Sequence, residues 1–218
     1  MLPATSDAVS LFTRKHAAYA RFIRLVRYPQ GIGTFLVQSS LLQDRLRVLD
    51  AGCGTGVITL ALHEALVRRR FSLGTFHAFD VTPAMLERFR DTLDRRGIYV
   101  ETQRADVLDM DSLPAEWTDY DLIVSASMLE YVPRTRLADA LGALRTRLAA
   151  NGRVVVFITR RNWLTRPLIG RWWQSNLYTK RELLETFNRA GFSRIRFSRF
   201  PLAVSYLAAW GYVIEGRK

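Results

Sequence analysis

The chain of 218 residues carries a single cysteine, Cys53, which excludes an internal disulfide and any cysteine-based metal cluster. No stretch reaches the ~18 apolar residues needed to span a bilayer. The first residues, MLPATSDAVSLFTRKHAAYARF, lack a basic region followed by an unbroken apolar run. These absences lead us to expect a cytoplasmic protein, or one peripheral to the inner face of a membrane, with no metal. Lysine is scarce, found only at 15, 180 and 218, so the net charge of +12 is almost wholly arginine. That charge admits nucleic acid, an anionic membrane surface or acidic substrates as partners, although an arginine-rich genome would produce the same bias. With 49% hydrophobic and 24% charged residues, the chain is ordinary for a globular protein. Its length suits one α/β domain over residues 1–218.

The most informative stretch is Leu46 to Leu60, LRVLDAGCGTGVITL. A β-prone run ends at Asp50, glycines alternate at 52, 54 and 56, and an apolar helical pattern begins at once. Glycine allows unusual backbone angles and close approach of a ligand to the main chain. The open amides of the following helix favour a polar or anionic group. Two nucleotide sites are excluded. The dinucleotide fingerprint needs glycine at 57, where Val57 stands, and no Lys-Ser/Thr pair follows the turn as a P-loop requires.

Asp50-Ala-Gly52-Cys-Gly54-Thr-Gly56 resembles motif I of the class I S-adenosylmethionine (SAM)-dependent methyltransferases. Further matches follow along residues 45–217 and are densest over 46–131. Asp80, at the tip of the second strand, matches the family's acidic residue, and a carboxylate there can accept two hydrogen bonds from a ribose diol. Val81-Thr82-Pro83 resembles the usual helix opening, with Thr82 as N-cap and proline at the first helical position. Arg104-Ala105-Asp106-Val107 matches the place beside the adenine. Tyr120–Ser127 resembles motif IV, where Ser125 and Ala126 would line the cofactor. The resemblance thus implies a cofactor site of Asp50, Gly52, Cys53, Gly54, Gly56, Asp80, Val81, Ala105, Asp106, Val107, Ser125 and Ala126, with Tyr19 reaching in from an N-terminal helix.

The resemblance also implies a Rossmann-like, doubly wound seven-stranded sheet of order 3-2-1-4-5-7-6, with an N-terminal helical extension. The expected elements are an amphipathic helix over 7–28 ended by Pro29, a connection at Gln30–Thr34 and a short helix at Phe35–Leu42. Further helices are expected at Val57–Arg70, Arg134–Ala149 (closed by Asn151-Gly152) and Thr179–Ala190. Strands are expected at Thr75–Phe79, Ile98–Gln103, Tyr120–Ser127, Arg153–Thr159, Phe192–Phe200 and Gly211–Arg217. The segment Arg160–Tyr178 breaks the alternation and gathers Trp163, Arg166, Trp172, Trp173 and Tyr178. This aromatic and basic mixture suits an amphiphile, an anionic substrate or a membrane interface, and here we place acceptor specificity.

Many relatives carry a histidine shortly after motif IV, where this chain has Glu130 and Tyr131. The candidate bases are therefore Glu130, Tyr131, His16 and Tyr178. The expected function is methyl transfer to an oxygen or nitrogen of a small metabolite, lipophilic or anionic. The alternatives are an RNA methyltransferase and a non-catalytic SAM-binding or interaction module. The Asn-Pro-Pro-Tyr sequence of amino-methylating nucleic-acid enzymes is absent.

Overall fold

A computed structural model describes residue 21 and residues 23–171 and 174–218. The strands are β1 (Val48–Ala51), β2 (Phe76–Asp80), β3 (Glu101–Arg104), β4 (Tyr120–Ala126), β5 (Leu148–Thr159), β6 (Ser193–Ser198) and β7 (Gly211–Arg217). They form one sheet of order β3-β2-β1-β4-β5-β7-β6, as the sequence implied. β1 to β5 pair in parallel, and β7 runs antiparallel between β5 and β6.

Parallel strands connected by helices are covered on both faces and so read as apolar runs. Period-two alternation divides those runs between two cores. Leu49, Ala51, Ile123, Val154 and Val156 face one core. Val48, Leu122, Val124, Val155 and Phe157 face the other. Each of these leucines, isoleucines and valines, when fully buried, contributes ~1.5–3 kcal/mol. The helices that cover the sheet are α1 (Tyr28–Gln38), α2 (Val57–Arg68), α3 (Pro83–Arg96), α4 (Leu137–Thr146) and α5 (Lys180–Arg189). The Thr179–Glu182 capping box starts α5 as its sequence indicated. Thr82 and Pro83 start α3, although the Thr82 side chain makes no capping bond.

Three expectations are corrected. Pro29 opens a helix instead of ending one: Arg27 takes a left-handed conformation (φ 50°), and α1 runs through Gln30–Thr34 to Gln38. Proline lacks an N–H and is tolerated in the first turn, so the break falls before it. Next, α4 stops at Thr146, and Asn151-Gly152 lies inside the long β5 beside a register shift. A Cβ on Gly152 would sit 2.5 Å from the Tyr120 carbonyl oxygen, so this glycine serves close strand contact and not a helix end. β3 is also shorter than expected, at Glu101–Arg104. Arg166–Arg171 forms one short π-helical run that includes Pro167 and Gly170, and no long regular helix. Most of the expected helix over 7–28 lies outside the described residues; residues 23–25 within it are helical.

Candidate active site

The site is assembled at the carboxyl ends of β1, β2, β4 and β5, where the doubly wound sheet reverses direction. Gly52, Gly54 and Gly56 all have positive φ, but they serve different ends. A Cβ on Gly52 would lie 2.2 Å from Met128, and one on Gly56 would lie 2.0 Å from the Phe89 ring. Those two glycines allow close packing. A Cβ on Gly54 would meet nothing within 4 Å, so this glycine borders open space.

Asp80 reaches across to the same turn. Its Oδ2 accepts from the Gly54 amide at 2.8 Å and its Oδ1 from the Thr82 amide at 2.8 Å. Burial pushes this carboxyl above its ordinary range, while the two amides pull the other way. Each carboxylate oxygen can accept a further bond, so the pair remains open to a diol. Asp50 is 1% exposed. Its Oδ2 accepts from the Thr59 hydroxyl at 2.6 Å and the Thr59 amide at 3.2 Å, tying β1 to α2. Its Oδ1 has no partner among the described residues, and burial raises the group to about 7. A buried acceptor without a partner costs ~1–3 kcal/mol until something fills it.

These groups line a cleft of about 530 Å³. Asp50, Gly52, Cys53, Gly54, Asp80, Val81, Ala126 and Tyr131 all border it, as does Met85 from α3. Cys53 is buried, and burial holds its thiol well above its usual range, so it packs and does not react. The cleft carries an orphaned carboxylate oxygen, a rigid second carboxylate and open space over Gly54, features that fit a nucleoside bearing an ammonium group.

A narrower, mostly apolar cavity of about 50 Å³ adjoins the cleft. The two share Ile23, Tyr28, Ser127 and Tyr131. Phe157, Ile169, Phe200, Leu207 and Trp210 wall it, and Glu130 enters it. Glu130 is 2% exposed. Thr159 donates to it through its amide at 2.9 Å and its hydroxyl at 3.0 Å. Burial raises its carboxyl to about 7 against those two bonds. The Glu130 turn is itself held from Asn176, whose amide donates to the Glu130 carbonyl and whose Nδ2 donates to the Val132 carbonyl.

Other sequence candidates are not brought to these cavities. Ala105 and Val107 are core residues, and Asp106 Oδ1 accepts from the Leu108 amide. Ser125 is fully buried within β4. Tyr178 is buried beneath the Arg134 guanidinium, 4.5 Å from its ring centre, and burial pushes its hydroxyl to about 12. That hydroxyl is a poor base and lines neither cavity. Trp163 is 84% exposed, and Arg166 borders a separate arginine-lined hollow with Arg134 and Arg161. His16, Tyr19, Trp172 and Trp173 lie outside the described residues. Sequence reasoning missed the walls supplied by Phe200, Leu207 and Trp210. Their one signal was the apolar run Leu202–Trp210, which sits between two strands without strand alternation.

Residues 48–152 match the family model described as a methyltransferase domain. Among curated proteins, the chain is 33% identical over 126 residues to the malonyl-[acyl-carrier protein] O-methyltransferase of Halorhodospira halophila, a match covering 58% of this chain and 39% of that one. It is 28% identical over 167 residues to 2-methyl-6-phytyl-1,4-hydroquinone methyltransferase 2 of Oryza sativa subsp. japonica, covering 75% and 44% respectively. These matches span less than half the length of either relative. Among solved structures, PigF with SAH superimposes with a TM-score of 0.69 at 23% identity, covering 86% of this chain and 54% of that one. Over residues 48–152, just under half of its length, the chain is similar to methyltransferase domains, and its fold is shared with a structure solved with SAH.

Proposed function

We propose that the protein transfers a methyl group from SAM to an oxygen or nitrogen on a small molecule with an apolar body. The observation that carries this reading is the junction of two unlike cavities, a polar cleft holding Asp50 and Asp80 and an apolar one holding the buried Glu130. The rice relative is named for a hydroquinone bearing a phytyl chain, which pairs a hydroxyl with an apolar body in the same way.

SAM, when bound, supplies an electrophilic methyl group on a sulfonium. The protein's own residues do the rest. Asp80 accepts from a ribose diol, held in place by the Gly54 and Thr82 amides. The partnerless Oδ1 of Asp50 takes an ammonium, which draws that carboxyl back down toward its ionised form. Phe157, Phe200 and Leu207 exclude water and orient the apolar body of the acceptor, and such alignment contributes several kcal/mol to the rate. Glu130 receives the proton that the nucleophile loses. A carboxyl raised to about 7 is matched to that task near neutral pH.

The test is to incubate the protein with SAM and a panel of lipophilic phenols, hydroquinones, carboxylic acids and amines, and to quantify S-adenosylhomocysteine. Turnover of at least one apolar-bodied acceptor is expected, rising with pH through about 7 as Glu130 ionises. Turnover confined to polar acceptors or RNA would overturn the reading.

A further inference from the structure

We propose that the acceptor cavity opens onto a face that docks on an anionic phospholipid bilayer, from which a lipophilic acceptor enters directly. This inference rests on the functional reading above and names where its acceptor comes from.

Three separate segments build the cavity wall: Ile23 and Val26 before α1, Ile169 in the π-helical run, and Leu207 and Trp210 before β7. They are tied together. The Tyr206 hydroxyl donates to the Val26 carbonyl, Arg160 donates to the Ala208 carbonyl and Asn162 to the Ala209 carbonyl. The outward side of these same segments is unusually apolar. Leu202 is 95% exposed, Trp163 84% and Leu25 82%, with Leu168 and Tyr206 also exposed. These are five of the nine exposed large apolar side chains among the described residues, so the exposure is concentrated and not scattered. An isolated exposed leucine needs no explanation, but several on the segments that wall one cavity do.

Charge selects the occupant. The sequence holds no Asp or Glu over 8–43, 140–181 or 186–214, and these runs include all three wall segments. Exposed Arg21, Arg24, Arg27, Arg166 and Arg199 lie within them. Glu182, the nearest intervening acid in sequence, is occupied by Thr179, Arg134 and Arg161. Apolar side chains flanked along the sequence by exposed arginine and not by acid are complementary to an anionic leaflet, where leucine and tryptophan enter the acyl boundary and guanidinium groups meet phosphate. A water-soluble partner would have to supply both an apolar surface and a field of negative charge.

The experiment is co-sedimentation of the full chain with phosphatidylcholine vesicles, with and without phosphatidylglycerol, at physiological ionic strength. Binding to the anionic vesicles alone is expected. Leu202→Glu combined with Trp163→Glu should lower the partition coefficient at least tenfold. Tyr99→Glu, equally exposed at the far edge of the sheet, should leave it unchanged. Each variant is checked for an unaltered rise in melting temperature with S-adenosylhomocysteine. No binding by the wild type, or equal binding by all variants, overturns the docking face. Loss of the melting shift in the wild type instead overturns the methyltransferase reading, so the two failures are distinguishable.

Discussion

The two cavities are built by opposite means. The polar cleft comes from consecutive residues at the ends of β1 and β2, and its geometry is held by backbone amides of Gly54 and Thr82 and by the Thr59 hydroxyl. The apolar cavity comes from residues scattered between 23 and 212, joined by packing and by hydrogen bonds between segments distant in sequence. Local backbone geometry therefore shapes the candidate cofactor cleft, and long-range packing shapes the cavity proposed for the acceptor. This division lets one part vary while the other stays constant, as expected of a fold that hosts many substrates.

The largest effect should come from Asp80→Ala. It removes two charge-assisted bonds within the protein and the partner of a diol, each worth ~1.5–3 kcal/mol. S-adenosylhomocysteine affinity, measured by calorimetry, should fall on the order of a hundredfold or more, and unchanged affinity would break the assignment of the polar cleft. Glu130→Gln should act on the other cavity alone. Turnover should fall ~10²–10⁴-fold and lose its dependence on pH near 7, while cofactor affinity holds. A parallel loss of affinity would show that the two cavities are not separable.

The glycines sharpen the comparison. Gly56→Ala drives a Cβ into the Phe89 ring at positive φ and should cost ~2–4 kcal/mol of stability, read by denaturant unfolding. Gly54→Ala meets no atom within 4 Å and should cost only ~1–2 kcal/mol, yet weaken cofactor binding because the methyl enters the cleft. The smallest effect concerns pH. Asp50 and Glu130 are both raised to about 7 in the folded state, so folding takes up protons between their unfolded values and 7. The stability they contribute is full below pH ~4 and declines as pH rises to about 7. Asp50→Asn should flatten part of that decline in the ligand-free protein.

The polar cleft was legible because Asp50, the glycine turn and Asp80 stand at recognisable spacing along the sequence. The strand order followed from the family resemblance which those residues carry, since pairing between distant strands leaves no local pattern. The start of α1 was misread because Pro29 is compatible with either side of a helix boundary, and only the left-handed turn at Arg27 decides between them. Tyr178 looked like a site residue because it follows an aromatic, basic run, but its ring is folded beneath Arg134.

By itself, then, the sequence carried the resemblance to SAM-dependent methyltransferases, the strand order which that resemblance implies, and the candidate carboxylates Asp50 and Asp80, because short backbone motifs carry their own geometry. The tertiary structure alone decided that Glu130 is buried against Thr159, that Gly56 serves Phe89, and that Leu207 and Trp210 wall a cavity with Ile23. Burial, and with it the elevated proton affinity of Glu130, depends on residues distant in sequence, and no local pattern records which of them meet.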